Sequence, residues 1–174
     1  YLSKNFNNES FNFYDRILSG QKEQKPRWKR VVEETESNLE QIVSQEYVAN
    51  YLHKETKDKF IELADNLMEV YADHIKKLDW MGDTTKQKAL YKLSKVSMKL
   101  GWPDTWKDFS ALEIDRNAYC ANVMRAATWH YNYSVNHFGK PVDRTEWQMT
   151  PETYNAYYEP TLNEICIPGC TIIV

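Results

Sequence analysis

No stretch of this 174-residue sequence approaches the roughly 20 consecutive apolar residues that a membrane-spanning helix needs. No secretory leader pattern opens it. It begins on Tyr1, which reads as a trimmed N-terminus from which an export signal has had the chance to be removed. It has no excess of either charge. Lys and Arg number 22 against 25 Asp and Glu, a net charge of −3, which gives no electrostatic basis for binding nucleic acid or an anionic membrane surface. Glycine is scarce, at 5 residues, and none forms a phosphate-cradling loop or a G-x-S-x-G elbow. Cysteine is scarcer still: Cys120, Cys166 and Cys170 are an odd set, so at least one thiol is unpaired. Cys166 and Cys170 lack a second Cys or His pair at zinc-site spacing and read as small thiols rather than metal ligands.

The histidines are equally uninformative about chemistry. His53, His74, His130 and His137 are none of them followed by Glu, so HExxH is missing, the spacing that puts two imidazoles on one zinc. His130 and His137 share a helical face two turns apart, too far for one metal without a bridging ligand, and read as hydrogen-bonded structural residues. Glu69 and Asp73 form an ExxxD pattern that reads as a solvated helix face. Asn8 and Asn132 match the glycosylation pattern in letters only, Asn132 falling in mid-helix.

The chain does have enough apolar residues for a core: 42% are hydrophobic and 14% aromatic, which excludes global disorder. Their spacing is helical over most of the length. Phe11, Tyr14 and Leu18 predict a first helix, closed by Gly20. Val31, Val32, Thr35, Leu39, Ile42, Val43 and Tyr47 predict a long amphipathic helix from Trp28 to about Leu52. Phe60, Leu63, Ala64, Leu67, Met68, Tyr71, Ile75 and Leu78 share a face of the next. Asp83 is placed to cap another, lined by Ala89, Leu90, Leu93 and Val96 and closed by Gly101 and Pro103. A last helix runs from about Arg116 to Phe138, with Val123, Met124, Ala127, Tyr131 and Val135 inward. After Trp147 the period changes to two. Tyr154, Ala156 and Tyr158 alternate with Asn155 and Tyr157, and residues 159–163 form a turn into a return strand, Glu164 to Ile167. The expected fold is mainly α, long amphipathic helices with a short C-terminal β-hairpin, and strand nowhere before the last twenty or so residues.

Four blocks, "RWKRVVEETESNLEQIVSQEYV", "LDWMGDTTKQKALYKLSKVSMKLGWPD", "GKPVDRTEWQMTP" and "NAYYEPTLNEICIP", resemble in order and spacing the neprilysin-type zinc endopeptidases, most of all their bacterial branch. "NAYY" followed by "NEICIP" is the sharpest piece. Disulfide-rich members tend to carry Cys where Val31 stands. The resemblance implies a two-lobed helical peptidase. Residues 1–26 would be an N-terminal helix and connector, 27–147 the helical region linking the lobes, and 148–174 the start of the catalytic lobe. It further implies that HExxH and a Glu ligand lie downstream. Zinc then belongs to the intact enzyme and none is expected here, and the chain is a fragment without ligands or general base, inactive alone. The expected partners are a peptide substrate and the remainder of the catalytic lobe, outside the cytoplasm.

Site residues follow from the same resemblance. Asn155 would hold substrate backbone through its side-chain amide and Ala156 through its backbone carbonyl, on the primed side. An Asn amide offers donors and an acceptor without reading side chains. Where the family continues "PAGIL", this chain has "PGCTIIV", so the tail after Pro168 is read as non-native, and the whole stretch "ICIPGCTIIV" is expected to be disordered or paired with a neighbour. Against the peptidase stands a second reading, a non-catalytic helical interaction module. HExxH within about a hundred residues downstream would decide between them.

Overall fold

The computed structural model describes residues 3–172. Helix α1 (Lys4–Ser10) runs directly into a π-helical segment, Phe11–Leu18, and Gly20 stops it with φ 71°. Helix α2 (Arg27–Tyr51) starts after Pro26, whose carbonyl accepts from the Arg30 amide at 3.3 Å. Its one non-helical residue is Leu39, at φ −132° and ψ 36°. Helix α3 (Lys54–Lys77) carries Glu55 in its first turn and His74, Lys76 and Lys77 in its last, the order that complements the helix dipole. Helices α4 (Asp83–Leu93), α5 (Tyr119–His137) and α6 (Gly169–Ile172) complete the helical content of the described residues.

The strands are β1 (Ser97–Gly101), β2 (Tyr157–Glu159) and β3 (Glu164–Pro168), in the order β1-β3-β2. β1 runs parallel to β3, with Ser97 opposite Glu164 and Lys99 opposite Cys166. β2 runs antiparallel to β3, with Tyr157 opposite Cys166 and Glu159 opposite Glu164. The mainly helical class and the C-terminal hairpin therefore hold. The expectation of no earlier strand is corrected by β1. Helix α4 ends at Leu93 rather than running on to Gly101. The reason is a partner 67 positions away: no stop signal stands between Leu93 and Gly101, and only β3 supplies the ladder that makes "SMKLG" a strand. Asp83 is also corrected. It is the first residue of α4, Gly82 stands at the cap, and no side-chain cap bond forms.

Packing divides the chain into two compact units. One comprises the residues up to Glu40 together with Asp108–Gly139, and the other Gln41–Lys107 together with the residues from Lys140 onward. In the first unit Phe109 stacks on Trp129 (ring centroids 4.1 Å apart), and Trp129 stacks on Tyr133 (5.2 Å). Ala126 is its most buried apolar side chain. In the second, Leu52, Ala64, Ile75, Leu100, Trp147 and Cys166 are buried.

The inward faces expected for the helices are corrected in part. Val31, Val32, Ile42, Leu63, Leu67, Tyr71, Met124, Tyr131 and Val135 are exposed, whereas Gln41 and Ser44 of α2 are buried. Gln41 accepts from the Lys107 amide at 2.7 Å, and Ser44 donates to Glu152 Oε2 at 2.9 Å. Period locates the apolar stripe of a helix. Whether that stripe is covered depends on the neighbours it meets.

The tail is the largest correction. Residues 164–168 form the central strand, with Cys166 at 0% exposure and Pro168 fully buried. Gly169 is buried against Leu52, and Cys170 donates its amide to the Pro151 carbonyl at 2.8 Å. "PGCTI" is thus packed structure, because β1 and the residues around Leu52 supply partners that its own sequence does not reveal. Val174 and the residue before it lie outside the described residues.

Candidate functional site

The hairpin presents two different faces. Alternation in β3 puts Glu164, Cys166 and Pro168 on the buried side. Lys99 of β1 and Tyr157 of β2 lie on that same side by register. Lys99 and Glu164 are therefore a charged pair in the interior, 7% and 1% exposed at their side chains, with Lys99 Nζ 2.7 Å from Glu164 Oε2. The contact is a charge pair without hydrogen-bond alignment, for Oε2 has no hydrogen-bond donor. Lys99 also donates to the Glu146 carbonyl, and the Tyr157 hydroxyl donates to Glu164 Oε1 at 2.8 Å. Burial first, and the bond to Glu164 second, raise the Tyr157 phenol well above its ordinary value, so it remains a donor. Burial pushes the neighbouring Cys166 thiol up to about 11.

Asn155 and Ala156 sit just before β2, not inside it, and both are exposed. The expected strand starts later because Asn155 makes local bonds instead of ladder bonds. Its amide donates to the Thr153 carbonyl at 3.0 Å. Its side-chain Oδ1 accepts from the Ala156 amide at 2.8 Å, and its carbonyl accepts from the Thr171 hydroxyl at 2.9 Å. The side chain keeps two NH2 donors and a second lone pair on Oδ1 to offer a peptide backbone. β2 is an edge strand of the described sheet. An edge next to an exposed Asn can take an added extended chain, since backbone groups along it pair with backbone.

The other candidate residues do not converge. His130 Nε2 lies 3.1 Å from the Asn38 carbonyl and 3.4 Å from Glu40 Oε2, and His137 Nδ1 lies 2.7 Å from the Tyr133 carbonyl. Asp73 pairs with Lys76 at 2.8 Å, and Glu69 is exposed. Among the described residues no group of three His, Cys, Asp or Glu is placed to hold a metal ion. The residues present do not fit the zinc that the resemblance assigns to the intact enzyme. No described helix is long and apolar enough to cross a membrane.

Sequence reasoning missed the Lys99–Glu164–Tyr157 constellation. Half of its signal was there: a Glu two positions before Cys166 in a five-residue strand must share the side of that Cys. Lys99 gave none, since β1 itself was not legible.

The architecture is shared with zinc metalloproteases. The structure of zinc metalloprotease Zmp1 from Mycobacterium tuberculosis in complex with inhibitor superposes with a TM-score of 0.87 at 40% identity, over 98% of this chain and 26% of that one. The neutral endopeptidase of Lactobacillus helveticus is 30% identical over 97% of this chain and 26% of its own length. Neprilysin-3 of Drosophila melanogaster is 29% identical over 97% of this chain and 22% of its own. The profile of peptidase family M13 matches residues 1–103, and the chain belongs to that family. It spans about a quarter of the length of the relatives it matches.

Proposed function

We propose that this chain is part of a zinc-dependent endopeptidase that cleaves peptides outside the cytoplasm. It supplies the helical scaffold and the strand edge that holds substrate backbone. The single observation that carries the reading is the exposed Asn155 just ahead of the edge strand of the described sheet, its Oδ1 bound to the Ala156 amide at 2.8 Å. That bond fixes the side chain and leaves its two NH2 donors and second Oδ1 lone pair for an incoming chain. Residues 148–174 would begin the catalytic lobe. Zinc, with ligands elsewhere in the intact protein, would supply Lewis-acid chemistry at the scissile carbonyl. The residues of this chain bind and orient the peptide: Asn155 through its amide, Ala156 through its backbone.

The test is hydrolysis of a panel of peptides by the full-length protein, with and without a chelator, beside the same protein carrying Asn155→Ala. Chelator-sensitive cleavage that the substitution weakens supports the reading. A full-length protein without HExxH and without hydrolysis would favour the interaction module instead.

A further inference from the structure

We infer that Tyr157, Glu164 and Lys99 are positioning residues, one buried carboxylate fixing the sheet edge at which Asn155 and Ala156 meet a peptide. The inference rests on the substrate-strand reading above and deepens it. The three strands meet at Glu164. Its Oε1 takes the Tyr157 hydroxyl of β2 at 2.8 Å, and its Oε2 faces Lys99 of β1 at 2.7 Å. Lys99 carries the tie on to the Glu146 carbonyl, in the loop that leads to the hairpin.

The tie is needed because β2 is only three residues long and begins one residue after Ala156. So short a ladder does little to fix the chain ahead of it. Outside the ladder, Asn155 is held by the Thr153 carbonyl and the Thr171 hydroxyl. Tyr157 is the nearest side chain that anchors this segment to the interior. A buried ion pair is a poor source of stability, since desolvating the two charges offsets much of their attraction. It does impose one geometry, because an arrangement that separates the charges leaves each unpaired in a dry place. A strand that offers backbone atoms to a peptide needs that kind of constraint, with placement held to about half an ångström.

The experiment uses the full-length enzyme and two peptides, one extending several residues past the scissile bond and one truncated just after it. Tyr157→Phe removes a single oxygen and keeps the ring that packs on β3. It should lower kcat/KM on the long peptide about three- to tenfold and on the truncated peptide less than twofold. Combined with Asn155→Ala its loss should be clearly less than additive, because part of it acts through the placement of Asn155 and only the part acting through Ala156 remains. Thermal melting of Tyr157→Phe confirms the folded state. Equal losses on both peptides would mean a merely structural role and would overturn the inference, as would an additive double mutant. A silent Tyr157→Phe beside an impaired Asn155→Ala overturns this inference alone. A silent Asn155→Ala removes the substrate-strand reading itself, and this inference with it.

Discussion

The ammonium of Lys99 lies 2.7 Å from the carboxylate of Glu164, and the two side chains are 7% and 1% exposed. Removing one partner leaves the other charge buried alone. Lys99→Met and Glu164→Gln should each destabilise the second packing unit by about 3–5 kcal/mol. The double substitution should cost clearly less than the sum, because no charge is then stranded. Denaturant melting of the four proteins checks this, and additive losses would mean that the pair is not coupled.

Asn155→Ala should reduce kcat/KM of the full-length enzyme about ten- to a hundredfold. The loss of one or two hydrogen bonds to substrate backbone, about 1–3 kcal/mol, sets that range. Since backbone is what Asn155 would hold, the loss should be similar for peptides of different sequence, with metal content unchanged. Unchanged kcat/KM across the panel would take Asn155 out of the site.

The tail makes a steric prediction. A Cβ added at Gly169 would clash with Leu52 Cδ1 and lie 3.2 Å from the Gly101 carbonyl. Gly169→Ala should cost about 1–3 kcal/mol by overpacking, and Leu52→Val beside it should recover part of that. Thermal melting of the single and double variants reads both effects. A neutral Gly169→Ala would mean that residues 169–172 do not pack on Leu52.

Thiol chemistry separates the three cysteines. Cys120 is exposed, Cys170 half-buried and Cys166 buried, with its thiol pushed up to about 11 by burial. Iodoacetamide at neutral pH should label Cys120 first and leave Cys166 untouched until denaturant is added, as peptide mapping by mass spectrometry would show. The same shift has a sign in stability. An unfolded thiol loses its proton near its ordinary value of 9.0, and the folded one only near 11. The stabilisation is complete below about pH 9 and is lost as pH rises from there through 11. Cys166→Ala should flatten melting temperature against pH in that window. Tyr157, raised in the same direction, should leave a smaller slope behind.

Much of this chain could be read from its order of residues. Helical period delimits α2 and α5 to within a few residues, and Gly20, at positive φ, stops the first helical stretch. The change to period two after Trp147 announces the hairpin, and the blocks around "NAYY" and "NEICIP" name the family. These are local signals, set by backbone sterics and by side chains a few positions apart. Tertiary structure decided the rest. Ser97–Gly101 is a strand because β3 lies beside it, and Glu164 can be buried because Lys99 and Tyr157 arrive from β1 and β2. The exposure of Val31, Leu67 and Tyr131 and the burial of Ser44 were likewise settled by neighbours far along the chain. A sequence states which groups are apolar or charged. Which of them lose their water depends on contacts between distant segments, and no local pattern carries that information.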